Sequence, residues 1–228
     1  MTEMELLNRS KTPGGLPQLL IYSNLEVDAG ISDIKLTCME AEKLDIPRIL
    51  VNPVNVSLAA KNCTNSKVKV GAALSYPVGT FPAEIKGYEI EDAIQNGADE
   101  IYMLMALGVF LDGFYDDIQK EMEVLVEKAG KLPTYYMIET SAVYKDHLAR
   151  ICLMAKLSGL DFIVSSTNFK PGGYLPATIE EVKYMAECEE TGPAVVAHGD
   201  FKTRRQVEDY LNAGASRVCT PHAAKLLG

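Results

Sequence analysis

Short apolar runs separated by longer stretches of mixed polarity set the rhythm of this chain. Residues 19–23, 48–52, 68–74, 100–105, 134–139, 161–165, 194–197 and 216–219 have the length and apolar density of buried strands. Between them, apolar positions recur with a helical period. Ile118, Met122, Leu125 and Ala129 follow one another at four, three and four residues, which assigns Glu121, Glu123 and Glu127 to other faces of that helix. Ser32 precedes one helical stretch, and Thr178-Ile179-Glu180-Glu181 opens another with acid in its first turn. Eight strands alternating with helices in 228 residues predict a single (β/α)8 barrel, a TIM barrel at the short end of its size range. A doubly wound open sheet fits less well, because no G-x-G-x-x-G follows the first run and the count reaches eight. No linker or low-complexity tract divides the chain, so one domain is expected over residues 1–228.

Composition narrows the partners. Hydrophobic residues make up 47% and charged residues 23%, which excludes a disordered chain. With 22 basic against 31 acidic residues the net charge is −9, which argues against nucleic acid or an anionic membrane as the main partner. No run approaches the ~20 apolar residues that span a bilayer, and the start Met1-Thr2-Glu3-Met4-Glu5 lacks a basic leader, so a cytoplasmic location is expected. The five cysteines are scattered and form no C-x-x-C pair. They are expected to be reduced, buried and inert, with neither a disulfide framework nor a zinc site. Lys145, Asp146 and His147 are expected as solvated surface.

In a barrel of this kind chemistry sits at the C-terminal ends of the strands. His198 follows the seventh run, with Asp200 two residues on: an imidazole for proton transfer and a carboxylate to orient it. Glu139 ends the fifth run and has the chemistry of a base, a metal ligand or an orienting group. Tyr102 and Tyr135 lie on the fourth and fifth runs. His198, His222, Glu139 and Asp200 are ligand types for zinc or iron, but no spacing supports a metal, so neither metal nor cofactor is expected.

At these strand ends the sequence resembles the 2-deoxyribose-5-phosphate aldolase family of (β/α)8 class I aldolases, from about residue 19 to 223. Ile49-Leu50-Val51-Asn52-Pro53 resembles V-C-V-N-P, and Tyr76-Pro77-Val78-Gly79 resembles F-P-L-G. Asn96-Gly97-Ala98-Asp99-Glu100-Ile101 matches N-G-A-D-E-I, and Ile138-Glu139-Thr140 matches L-E-T. The stretch from Asp161 to Phe169, D-F-I-V-S-S-T-N-F, follows D-F-V-K-T-S-T-G-F. The resemblance implies a lysine amine forming a Schiff base, a second lysine that lowers its pKa, and an aspartate that relays protons. Here Val164 and Val196 stand at the two lysine positions and Tyr102 at the aspartate. Tyr135 and Glu26 replace two further lysines, and Ala106 replaces an asparagine. The phosphate loops read Gly199-Asp200-Phe201 and Cys219-Thr220-Pro221-His222-Ala223, where Asp200 adds negative charge and Pro221 removes an amide donor.

The reading that follows is a diverged aldolase-like enzyme without Schiff-base chemistry. It would act by acid–base catalysis, of C–C lyase, isomerase or cyclase type, on a small carbonyl or hydroxylated compound without the family's phosphate. His198, Asp200, Tyr102 and Glu139 are its expected catalytic residues. Asn52, Tyr135, Val164, Ser166 and Asn168 are expected to meet the substrate, together with Lys170, Val196, Thr220 and His222. Two alternatives stand beside it: a non-catalytic pseudo-aldolase that binds a ligand or partner, and an aldolase whose amine has moved to Lys170. The family resemblance adds the expectation of a homodimer.

Overall fold

The computed structural model describes residues 15–169, 173, 175–188 and 192–228. Eight parallel strands pair each with the next, and the last closes on the first. They are β1 (Leu20–Asn24), β2 (Arg48–Val51), β3 (Lys69–Leu74), β4 (Glu100–Leu104), β5 (Thr134–Met137), β6 (Phe162–Val164), β7 (Ala194–His198) and β8 (Arg217–Thr220). Each lies within two residues of its predicted run, and the chain is a single (β/α)8 barrel. Around it run α1 (Ile31–Lys43), α2 (Val56–Cys63), α3 (Ala83–Gln95), α4 (Leu107–Leu111), α5 (Tyr115–Ala129), α6 (Lys145–Ser158), α7 (Ile179–Glu187), α8 (Arg204–Asn212) and α9 (Ala223–Leu227). Thr178 caps α7 as the sequence predicts: its hydroxyl accepts from the Glu181 amide at 3.1 Å, and the Glu181 carboxylate accepts from the Thr178 amide at 2.7 Å. Ser32 instead lies inside α1, which Gly30 caps while donating its amide to Asp33 at 2.8 Å.

Strand side chains alternate between two cores. Outward residues such as Ile49, Ala72, Met103, Ile163 and Val218 pack beneath the helices. Inward residues, among them Ile21, Leu50, Val164, Val196 and Cys219, fill the barrel. The lower half of that interior is aromatic. Tyr102 and Tyr135 stack at 3.9 Å, Tyr135 and Phe162 at 4.4 Å, and the Arg217 guanidinium lies 4.2 Å from the Phe162 ring while donating to the Tyr135 hydroxyl. The Tyr102 hydroxyl donates to Glu100 at 3.1 Å, and Arg48 pairs with the same carboxylate at 2.9 Å. Gly71 makes room for this stack, since a Cβ there would come within 2.6 Å of the Tyr102 ring. Gly79 is fixed for a different reason: its φ is +68° and a Cβ would meet the Met105 carbonyl oxygen at 2.2 Å.

Two expectations about the helices are corrected. The stripe Ile118, Met122, Leu125 and Ala129 of α5 is buried as read, but Glu121 is buried with it. Its partner is Lys86 of α3, fully buried, whose ammonium donates to Glu121 at 2.8 Å and to the Leu104 carbonyl at 2.6 Å. His147 is half-buried rather than solvated, packed edge-on against Phe110 at 5.4 Å, although Lys145 and Asp146 are exposed.

Candidate functional site

A cleft of about 400 Å³ opens at the C-terminal end of the barrel. β1 and its loop supply Ser23, Leu25, Glu26 and Val27, and the loop after β3 supplies Tyr76. The loop after β6 brings Thr167, Asn168 and Phe169. His198 ends β7, Asp200 lies in the loop after it, and Pro221 and His222 lie in the loop after β8. No lysine is among these described lining residues. Tyr76 and Phe169 form one wall, edge to face at 6.0 Å.

His198 is enclosed at the end of β7, its amide donating to the Ser165 hydroxyl at 3.2 Å. Its Nδ1 lies 2.9 Å from the Ser166 carbonyl oxygen. A carbonyl only accepts, so Nδ1 carries the hydrogen and Nε2 keeps a lone pair. Burial pushes the pKa down to about 4 from the ordinary 6.5, against the opposing pull of the Ser166 carbonyl. The ring is therefore neutral at pH 7 and acts as a hydrogen-bond acceptor and weak base. Asp200 does not orient it, which corrects the sequence reading. Side chains two residues apart across a turn diverge, and Asp200 Oδ1 lies 2.5 Å from Nε2 of His222, with its other oxygen 3.1 Å from Lys202. The carboxylate-backed imidazole of the cleft is thus His222. Thr220 ties the two loops together, donating to the Phe201 carbonyl at 3.1 Å and accepting the His222 amide at 3.3 Å.

The depressed basicity of His198 has a consequence for stability. The unfolded histidine takes its proton as pH falls through 6.5, whereas the native one resists until about 4. Stability held by the neutral ring is complete above pH 6.5 and is lost as pH falls toward 4, on the order of 3 kcal/mol. Glu139, whose pKa burial raises, works in the opposite direction, because its protonation as pH falls favours the native state. Urea unfolding of wild type and His198→Gln between pH 7.5 and 4.5 isolates the first effect. Wild type should lose stability faster than the variant, and parallel curves would contradict the neutral buried ring.

Other predicted residues frame the cleft or stand behind it. Glu139 is buried; one oxygen receives both the amide (3.1 Å) and the hydroxyl of Thr167, and the other makes no hydrogen bond among the described residues. It therefore shapes the loop that carries Thr167 and Phe169. Asn168 holds a φ of +57° where the family motif has glycine, a conformation asparagine tolerates, and its amide donates to the Ser166 hydroxyl at 2.9 Å. Asn52 donates to the Glu26 carbonyl at 3.4 Å. Tyr102, Tyr135, Val164 and Val196 do not line the cleft: each is fully buried in the barrel interior. The phenol of Tyr102 bonds Glu100 because a tyrosine spans the height of one inward layer and reaches the residue two positions earlier. Lys170 lies outside the described residues. Among those described, no group of three or more His, Cys, Asp or Glu side chains converges as a metal site. Ser23, Tyr76 and Phe169 line the cleft without having been given a role in it from the sequence. Ser23 ends a strand run, and the other two lie inside quoted motifs, which is the signal that could have found them.

No family model matches the chain. It is 33% identical over 204 residues to deoxyribose-phosphate aldolase of Clostridium perfringens, covering 89% of this chain and 90% of that one. Deoxyribose-phosphate aldolase 2 of Staphylococcus aureus is 32% identical over 201 residues, covering 88% and 90%. In fold, the chain matches the tetrameric deoxyribose phosphate aldolase of Aeropyrum pernix with a TM-score of 0.89 at 20% identity, over 98% of this chain and 94% of that one. An aldolase designated QR15 matches with a TM-score of 0.87 at 24% identity, over 93% and 94%. Barrel, strand-end motifs and similarity over about nine-tenths of the chain agree: the chain belongs to the deoxyribose-phosphate aldolase family.

Proposed function

We propose that this chain is a diverged aldolase-family enzyme that works without a Schiff base, by acid–base chemistry on a small carbonyl or hydroxylated compound lacking the family's phosphate. The observation that carries the reading is the pairing of His222 with Asp200 in the cleft at 2.5 Å, opposite a neutral His198. The carboxylate fixes the imidazole it holds in one orientation, so His222 is placed to take a proton from a substrate and return it. His198 presents its Nε2 lone pair as a hydrogen-bond acceptor for a substrate hydroxyl. Tyr102 and Glu139, expected as catalytic, take supporting roles: the first fills the barrel and the second holds the 167–169 loop. Valine offers no nucleophile at positions 164 and 196, and Asp200 and Pro221 disfavour a phosphate in the loops after β7 and β8. A cytoplasmic homo-oligomer belongs to the same proposal, supported on assembly by the tetrameric Aeropyrum pernix relative.

A second reading has its own observation. The aromatic stack and apolar residues that fill the barrel interior suit a protein that has kept the fold and lost the chemistry, a pseudo-aldolase that only binds. Proton exchange separates the two. In D2O, wild type incubated with a panel of unphosphorylated C3–C6 aldehydes, ketones and polyols should exchange a carbon-bound proton next to the carbonyl of at least one, followed by NMR. His222→Asn should lower that rate at least ~100-fold, the usual scale for removing a general base. Ligand binding without exchange would favour the pseudo-aldolase, and exchange unaffected by His222→Asn would sink the assigned base.

A further inference from the structure

Apart from its two imidazoles, the charged side chains among the described residues lining the cleft are both carboxylates, Glu26 and Asp200, and neither lysine nor arginine joins them. The charge of Asp200 is already engaged by Lys202 at 3.1 Å and by His222 at 2.5 Å. Glu26 differs: its carboxylate stands exposed in the loop after β1 and makes no ion pair among the described residues. The Tyr76–Phe169 wall lines the same cleft, both rings half-buried, with the Tyr76 hydroxyl donating to the Thr167 carbonyl at 3.5 Å. An edge-to-face pair leaves π surface uncovered, and π surface attracts a cation. At the floor, His198 is 1% exposed, its Nδ1 is occupied by the Ser166 carbonyl, and Nε2 meets no donor among the described residues. A buried acceptor in a cleft with no donor of its own calls for a ligand that brings one.

We propose that the cleft takes a cationic substrate, a small hydroxylated or carbonyl compound carrying a primary ammonium group. The ammonium is held between the Glu26 carboxylate and the Tyr76–Phe169 wall, while a hydroxyl of the same molecule donates to Nε2 of His198. This rests on the reading of the cleft as the substrate site and adds the charge of the molecule it takes. An ammonium offers three N–H donors and no acceptor, which matches a carboxylate and a lone pair that both need donors. An anion of the same size would meet Glu26 and Asp200 as like charges. A neutral polyol would satisfy His198 and gain nothing from Glu26 or from the rings.

Two sets of matched probes test the charge directly. The full chain is titrated calorimetrically at pH 7.5 and low ionic strength with 3-amino-1,2-propanediol, glycerol and glycerate, and with the five-carbon set 1-amino-1-deoxyxylitol, xylitol and xylonate. In at least one set the amine should bind ~10-fold or more tightly than its neutral counterpart, with the acid weakest. Added salt should shrink that preference, because the Glu26 contribution is screened. Glu26→Gln and Phe169→Leu, each checked for fold by circular dichroism, should each weaken the amine ~5-fold and leave the neutral polyol unchanged. Equal binding of amine and polyol, tighter binding of the acid, no binding by any of the six, or an amine preference untouched by both variants would overturn the proposal. The proton-exchange assay fails separately: an amine preference without exchange sinks the acid–base reading alone, and exchange on neutral ketones without an amine preference sinks this one alone.

Discussion

Replacing Lys86 by Met should destabilise the barrel by about 3–5 kcal/mol, the scale on which removing one partner of a buried ion pair acts. Lys86 and Glu121 are both buried, so the loss leaves a carboxylate with no cation in a region water does not reach. Glu121 would keep the Tyr136 hydroxyl at 2.6 Å and the Ala106 amide at 3.3 Å, which dull the penalty without removing it. The Leu104 carbonyl would lose its ammonium donor at the end of β4. The sign with pH follows. The cost comes from an uncompensated buried charge, so the damage should be largest at neutral pH and shrink in acid, where that charge is removed. The double variant Lys86→Met/Glu121→Gln should recover part of the loss, because the second change removes the stranded charge. Urea unfolding at pH 7.5 and 5 checks each of these statements. A loss under ~1 kcal/mol at neutral pH would mean that water or another group reaches Glu121.

Truncating Tyr102 to Ala should cost about 3–5 kcal/mol, as large aromatic deletions in a packed core do. The ring is fully buried, stacked on Tyr135 and seated over Gly71, so its removal opens a cavity among side chains that strands hold in place. Tyr102→Phe should cost only about 1 kcal/mol, the net value of the hydroxyl's bond to Glu100, because Arg48 still satisfies that carboxylate. The contrast between the two variants separates packing from chemistry. If Tyr102 were a proton donor to substrate, Phe would abolish turnover while sparing the fold. The account predicts that turnover in the exchange assay survives in Tyr102→Phe, since the phenol faces Glu100 and not the cleft.

These residues also show what a sequence reveals and what it hides. The strand runs were legible because a β-strand buried on both faces must be apolar throughout, so burial itself writes the signal. The gathering of His198, Asp200, Asn168 and His222 was legible because a parallel barrel collects the C-terminal strand ends. Which imidazole Asp200 grips was not, since that depends on how two loops turn. Tyr102 was read as a catalytic group, but its reach along the barrel axis to Glu100 has no sequence signature. Glu121 was misread by a stripe drawn too narrowly: it is three residues after Ile118 and four before Leu125, on the flank of the buried face. Its partner left a fainter sign, a lysine at position 86 on the same helical stripe as Ile90 and Ala93.

The central claim is that this family member has no Schiff-base route, and it can be tested on the amines directly. Wild-type protein is incubated separately with acetaldehyde and 2-deoxyribose-5-phosphate, reduced with borohydride, and read by intact mass and peptide mapping. The account predicts no adduct above the low, scattered labelling of exposed lysines, and none with the phosphorylated sugar in particular. A stoichiometric adduct on a single lysine, Lys170 above all, would contradict it and return the chain to the aldolases with its amine in a new place.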